Sequence, residues 1–325
     1  MSDNQSFINQ LNTSIAQLNL DQKPKELYDP IDYVMSLGGK RLRPILTLLT
    51  CSLYTEDWQK SLAAAMAVEV FHNFTLLHDD IMDNAPLRRG KPSVHEKWDV
   101  NTAILSGDVM LIQAYEQLLK VEFENPVEVL QLFNRCAKEV CEGQQMDMNF
   151  ETQDSVSLAD YLLMIEYKTA VLLGFAMQVG GIIGDCAEED KKLLKEIGVN
   201  AGIAFQLQDD YLDVYGDPEK FGKQIGGDII ENKKTFLLIK ALELAQGETQ
   251  KTLSFWLKNN LESEKETKVK AVRAIYDELG IPKLIKNEMD AYFEKAFKQI
   301  AVLSLSKEKQ RKIIAYFDWL AQRQV

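Results

Sequence analysis

Apolar residues recur at spacings of three and four along most of the chain, the period of helices that bury one face. Residues 1–20 set Phe7, Ile8, Leu11, Ile15 and Leu18 on one side of a weakly amphipathic helix. From Lys40 to Arg89 there is no glycine, and the only prolines are Pro44 and Pro86. Ala64, Ala67, Val68, Phe71, Thr75 and Asp79 keep helix period there, so a long helical run closed by Pro86 is expected. Further helices are expected over 100–124, 126–145, 158–181 and 197–214. About four more run from Thr235 to the end, with loops near Gly247, Ser263, Gly280–Pro282 and Ser304–Ser306. No Asn-Gly or Asp-Gly dipeptide joins alternating runs, so hairpin signals are absent. These patterns predict an all-α fold. The only internal repeat is a pair of acidic motifs, and no low-complexity linker interrupts the chain, so 1–325 reads as one domain.

The first acidic motif is Asp79-Asp80-Ile81-Met82-Asp83, at the end of the long run. On a helix, Asp79 and Asp83 lie one turn apart and Asp80 sits roughly 100° round, so the three carboxylates form a cup. Acid at a helix C-terminus opposes the macrodipole. A solvated helix end is the bland alternative to a cation site. Oxygen-only donors suit Mg²⁺, which keeps waters and takes phosphate oxygens as partners. Asp209-Asp210-Tyr211-Leu212-Asp213 repeats the spacing, again before a stop, at Gly216-Asp217-Pro218. Two such cups predict a cavity with metal on both walls and room for a diphosphate between.

Cations sit close to each cup in sequence. Gly38-Gly39-Lys40-Arg41-Leu42-Arg43-Pro44 is a glycine turn with three cations directly before a helix, a setting that favours phosphate. It lacks the P-loop spacing. Leu87-Arg88-Arg89-Gly90-Lys91-Pro92 follows the first cup, where arginines either neutralise the aspartates or clamp phosphate oxygens. His72 lies about two turns before Asp79 on nearly the same face, as a core histidine or a phosphate donor. Lys168-Thr169 interrupts an apolar run, which is costly unless paired or exposed. Phe221-Gly222-Lys223-Gln224-Ile225-Gly226-Gly227-Asp228 and Lys233-Lys234-Thr235 follow the second cup as a basic, glycine-rich loop.

The chain has 325 residues, 46% hydrophobic and 26% charged, enough for a large core. A net charge of −12 argues against a nucleic-acid surface, and makes a polyanionic substrate depend on bound cations. Cys51, Cys136, Cys141 and Cys186 have no zinc spacing and read as thiols of a reducing, cytoplasmic setting. The N-terminal residues lack a signal-peptide pattern, and the apolar run Pro44–Tyr54 is too short to span a bilayer. No transmembrane segment is expected.

The ordered set GGKRLRP, FHNFTLLHDDIMD, LRRGKP, KT, FQLQDDYLD and GKQIGGD…KKT, over residues 38–235, resembles the trans-isoprenyl diphosphate synthases, also called polyprenyl synthetases. The resemblance implies an all-α bundle around a deep cavity, acting as a homodimer. It implies Mg²⁺-dependent head-to-tail condensation of isopentenyl diphosphate with an allylic diphosphate. Asp79, Asp80 and Asp83 match the first aspartate motif, and Asp209, Asp210 and Asp213 the second, together holding three Mg²⁺. Asp79, Asp80, Asp83 and Asp209 are the expected metal ligands. Arg88 matches the allylic diphosphate arginine. Lys40, Arg43, His72 and Arg89 match the isopentenyl diphosphate site. Lys168, Thr169, Gln206, Lys223 and Lys233 match the groups around the allylic substrate.

Product length is expected to be short, geranylgeranyl diphosphate (C20) first and farnesyl diphosphate (C15) next. Thr75 is small and lies one turn below Asp79, whereas Phe71 and Phe74 are bulky candidates for a floor. Helix geometry favours Phe71, and the resemblance favours Phe74. A terpene cyclase would show a mixed second motif in place of the five residues from Asp209 to Asp213. A non-catalytic partner subunit would have one cup or loop broken, and none is.

Overall fold

The structure, a computed structural model, describes residues 2–18, 20–217, 226–259 and 262–322. Helices dominate: α1 Ser2–Ala16, α2 Lys25–Ser36, α3 Leu42–Tyr54, α4 Leu62–Met82, α5 Val94–Lys97, α6 Val100–Leu118, α7 Pro126–Thr152, α8 Leu158–Ile165 and α9 Val171–Ile183. They continue as α10 Glu188–Tyr215, α11 Gly227–Glu231, α12 Phe236–Leu244, α13 Gly247–Lys258, α14 Lys265–Glu278, α15 Ile281–Val302 and α16 Lys307–Gln322. Contacts divide the chain into two compact units, Met1–Arg135 with Phe175–Lys195, and Cys136–Gly174 with Glu196–Val325.

In the first unit α4 is the central helix. Ala64, Ala65, Ala67, Val68, Val70 and Phe71 are all fully buried, so the helix is apolar on every side at this level, as a core helix must be. It packs chiefly against α6 and α3. The long run expected from Lys40 breaks between α3 and α4. Thr55 is extended, and Trp58–Ser61 forms a 3₁₀ turn. The Trp58 ring meets Phe7 of α1 at 4.8 Å, a tertiary contact that no local signal announces. α4 ends before Pro86, because Asn84 takes the left-handed conformation at φ 48, which asparagine tolerates after a helix.

One short hairpin stands among the described residues, contrary to the expectation of none. β1 Leu87–Arg88 pairs with β2 Lys91–Pro92 around Arg89-Gly90. Both turn residues have positive φ, 53 and 74, the signature of a tight hairpin turn built here without Asn or Asp.

In the second unit the core gathers Tyr161, Leu207, Val214, Phe236, Leu237, Tyr276, Ile281 and Ile285. The helix expected over 158–181 is interrupted by a π turn, Glu166–Ala170. Among the described residues the C-terminal part holds five α-helices rather than four. The stretch Leu158–Ile183 is long and apolar enough to cross a bilayer, with mean hydropathy 1.4, but 67% of that window is buried inside the protein. Its apolar faces are therefore core.

Candidate active site

The first unit brings together the first cup, the Gly38–Pro44 loop, His72 and the hairpin. Asp80 is turned inward, 4% exposed, and accepts from Arg88 Nε at 2.9 Å and from Arg88 Nη2. The same Nη2 lies 3.7 Å from Asp79 Oδ2. Burial raises the Asp80 pKa, while the hydrogen bonds and charge of Arg88 pull it back. Asp83 is exposed at the helix end, and its backbone amide bonds Asp79 O at 2.9 Å. The cup is thus an exposed Asp83 and a half-buried Asp79 beside Asp80, which arginine holds.

Arg43 Nη1 meets His72 Nε2 at 3.2 Å. Burial and the nearby Arg43, Arg89, Arg88 and Arg41 guanidinium groups drive the His72 pKa well below its usual value. The ring is therefore neutral and accepts from Arg43, which leaves Nδ1 as its donor. Arg89 donates to Gly38 O and lies under Gly39, where a Cβ would come within 2.9 Å of Arg89 Nη2. Lys40 is exposed beside them.

The second unit assembles Lys168, Thr169, Gln206, the second cup and Lys233. Lys168 and Thr169 sit on the π turn, a distortion often found at functional positions. Lys168 Nζ pairs with Asp147 Oδ2 at 2.6 Å. Thr169 Oγ1 donates to Gln206 Oε1 at 3.1 Å, and Gln206 Nε2 donates to Asp210 Oδ1 at 3.2 Å. The Tyr161 hydroxyl donates to the other Asp210 oxygen. Asp213 accepts the Asp228 amide at 3.1 Å, and the Gly226 amide bonds Asp213 O at 2.6 Å, so Gly226-Gly227-Asp228 lies against this cup. The Lys233 amide bonds Asp228 O at 2.9 Å. Lys223 lies outside the described residues. Asp147 and Tyr161 were not picked out by sequence reasoning, whereas Asp228 stood in the loop read after the second cup. Asp147 is one of five acids on α7, so nothing in the local sequence sets it apart.

Gly143 explains how the π turn is held. A Cβ there would stand 2.2 Å from the Lys168 backbone nitrogen, so α7 and the turn touch backbone to backbone. Gly202 of α10 meets Ala170 in the same way, a Cβ falling 2.6 Å from its Cα. Gly143→Ala is expected to lower stability by about 1–3 kcal/mol through overpacking and to displace Lys168. The check is a thermal melt with a turnover assay, against Gln145→Ala on the exposed face of α7. Turnover in Gly143→Ala should fall further than the fraction unfolded explains.

The donor sets fit Mg²⁺ and not a closed protein cage. Among the described residues no three His, Cys, Asp or Glu side chains converge on one point. Mg²⁺ needs only one or two carboxylates when phosphate oxygens and water complete its octahedron. Burial first, and then the Asp209 charge, raise the Asp210 pKa to about 7. Burial, Asp213 and Asp210 likewise raise Asp228. A folded pKa above the unfolded value means that this carboxyl's share of stability is present below pH ~4 and is lost as pH rises through about 7. A cation offsets that loss. Mg²⁺ with diphosphate should therefore raise the melting temperature more at pH 8 than at pH 6, with proton release near pH 7 in calorimetry. Equal shifts without proton release would contradict the raised pKa.

An all-α chain with two aspartate clusters, each with cations and a glycine-rich segment beside it, is a diphosphate-handling transferase of the prenyl type. The polyprenyl synthetase family profile matches residues 24–279. A short chain isoprenyl diphosphate synthase of Methanocaldococcus jannaschii is 42% identical over 247 residues, 76% of this chain and 75% of that protein. A geranylgeranyl diphosphate synthase of Methanosarcina mazei is 38% identical over 317 residues, covering 97% of this chain and 95% of that one. Geranylfarnesyl diphosphate synthases match at 38% and 37% identity. A crystal structure of a geranylgeranyl pyrophosphate synthase superimposes with TM-score 0.91 at 44% identity, covering 99% of this chain and 98% of that chain. The chain belongs to the polyprenyl synthetase family and is a prenyltransferase with that family's all-α fold.

Proposed function

We propose that the chain condenses isopentenyl diphosphate with an allylic diphosphate, head to tail, to give geranylgeranyl diphosphate (C20), as one catalytic domain. The observation that carries this reading is the grouping of side chains around each aspartate cluster. Arg88 and the Arg43–His72 pair stand with the first, and Lys168, Thr169 and Gln206 stand with the second. Asp79, Asp83, Asp209 and Asp213 offer carboxylate oxygens that would hold Mg²⁺, with Asp80 and Asp210 set behind them. Bound Mg²⁺ would neutralise charge on the leaving diphosphate.

Arg88, Lys168, Lys233 and Lys223 bind the allylic diphosphate in this reading. Lys168 forms an ion pair with Asp147. The bond from C1′ of the allylic substrate to oxygen breaks as its electron pair leaves with diphosphate. The Thr169 and Gln206 dipoles face the cation formed, and surrounding apolar helices exclude water. Lys40, Arg43, His72 and Arg89 hold isopentenyl diphosphate, whose double bond forms the C4–C1′ bond. The proton at C2 then passes to the departed diphosphate, so no side-chain base is required.

A second copy of the chain is the expected partner. α6 and the residue after it expose Val100, Ile104, Leu105, Ile112 and Leu119, an apolar set unusual for a free surface. All four cysteines are unbridged, in keeping with a cytoplasmic setting. Inorganic diphosphate should raise the melting temperature strongly with Mg²⁺ and weakly in EDTA. No Mg²⁺-dependent shift would count against diphosphate as the ligand.

A further inference from the structure

The Gly38–Pro44 loop carries three cations, and one of them turns inward. The Arg41 side chain is 5% exposed and its ion-pair partner Glu69, on α4, is 2% exposed. One guanidinium nitrogen donates to Glu69 Oε1, and the other donates to Met35 O at 2.9 Å. Asn73, one turn further along α4, donates Nδ2 to Glu69 O at 2.8 Å and to Glu69 Oε1 at 2.9 Å. The two acceptors and the fork of donors fix the arginine in one geometry.

The backbone gives a second, independent observation. Arg41 has φ 51, in the left-handed region. That conformation is costly for a non-glycine residue and persists only where the surroundings over-determine it. Here the over-determining contacts are the buried bonds of its own side chain.

We propose that the Arg41–Glu69 ion pair anchors the basic loop to α4, so that Arg41 and Glu69 are positioning residues for the isopentenyl diphosphate site and not ligands within it. This rests on the site assignment proposed above. Lys40 and Arg43 flank Arg41, so their placement follows from where Arg41 is pinned. Arg89 ties the same loop from the hairpin side, through Gly38 O. The polar chain also reaches toward the first cup. Asn73 Oδ1 and Ser93 Oγ, both buried without a hydrogen-bond partner among the described residues, border a cavity of about 10 Å³ that Asp80, Arg88 and Arg89 also line. That is room for one water between polar groups. The anchor thus ends at a cavity that the first cup also lines, and displacement of such supports by about 1 Å is enough to cost a site much of its efficiency.

The test replaces the pair by apolar residues of similar volume, since a lone change leaves a buried charge unpaired and unfolds the site. The full-length R41M/E69L chain is expected to melt near the wild-type temperature. Its KM for isopentenyl diphosphate should rise about tenfold or more, with the allylic KM within about twofold. Its affinity for inorganic diphosphate in EDTA, read by calorimetry, should fall to the same degree. R41K keeps the charge and loses the fork, and should fold with a smaller rise in the same KM. A wild-type isopentenyl diphosphate KM in either folded variant, or an equal rise in both KM values, overturns the anchor. If the wild-type chain condenses nothing, yet R41M/E69L loses affinity for inorganic diphosphate, the reaction assignment fails and the anchor stands.

Discussion

Asp79→Ala and Asp209→Ala are each expected to lower turnover on the order of a hundred- to thousandfold, the loss that follows removal of one preorganised group opposing transition-state charge. Asp79 is partly exposed beside Arg88, and Asp209 is exposed at the second cup, so neither truncation opens a core cavity. The effect should therefore appear in turnover and Mg²⁺ dependence, with melting temperatures of the metal-free variants close to wild type. Asp80→Ala is a different experiment. It strands the Arg88 guanidinium and mixes lost stability with lost chemistry. Near wild-type rates in either Asp79→Ala or Asp209→Ala would remove the basis for assigning metal to that cup.

The second large effect concerns product length. Phe71 is fully buried, with ring centroids 5.2 Å from Phe133 and 5.6 Å from Phe74. Phe133 in turn meets Tyr115 at 4.9 Å and Phe175 at 5.4 Å. Truncating Phe71 opens a closed aromatic cluster, which should cost about 3–5 kcal/mol without extending any path. Phe74 is backed by the His78 ring at 4.8 Å, and His78 bonds Ile104 O of α6 at 3.1 Å. Gly107 makes room for that histidine, since a Cβ there would lie 2.2 Å from Nε2. We therefore propose Phe74 as the floor. Phe74→Ala should shift the product from C20 to C25 or longer, Thr75→Phe should shorten it, and Phe71→Ala should mainly lower stability. Chromatography of the dephosphorylated products distinguishes these outcomes. Unchanged length in both Phe74→Ala and Thr75→Phe would place the floor off α4.

Both aspartate clusters and their basic neighbours were legible in the sequence because spacing on a helix is a local property. The i, i+4 placement of Asp79 and Asp83 needs only the helical period, and Pro86 marks the approach of the helix end. What escaped depends on contacts across the fold. Thr55-Glu56-Asp57 has no glycine or proline, and the break there follows from Trp58 meeting Phe7. The π turn at Lys168 rests on Gly143 and Gly202, distant in sequence. The hairpin was missed because Arg89 occupies a turn position that asparagine or aspartate usually fills. Arg41 looked like a third phosphate cation because sequence shows charge but not direction. Its partner Glu69 lies 28 residues away. Helix geometry favoured Phe71 as the floor and the resemblance favoured Phe74, and the ring contacts of Phe71 are what we weigh in proposing Phe74.

The measurement that bears most directly on the proposed reaction is product analysis of purified protein with labelled isopentenyl diphosphate, Mg²⁺ and each allylic starter in turn. The expected result is an all-trans product ending at C20, formed only when both substrates and Mg²⁺ are present and lost on chelation. Release of diphosphate without elongation, or a cyclic hydrocarbon product, would contradict it.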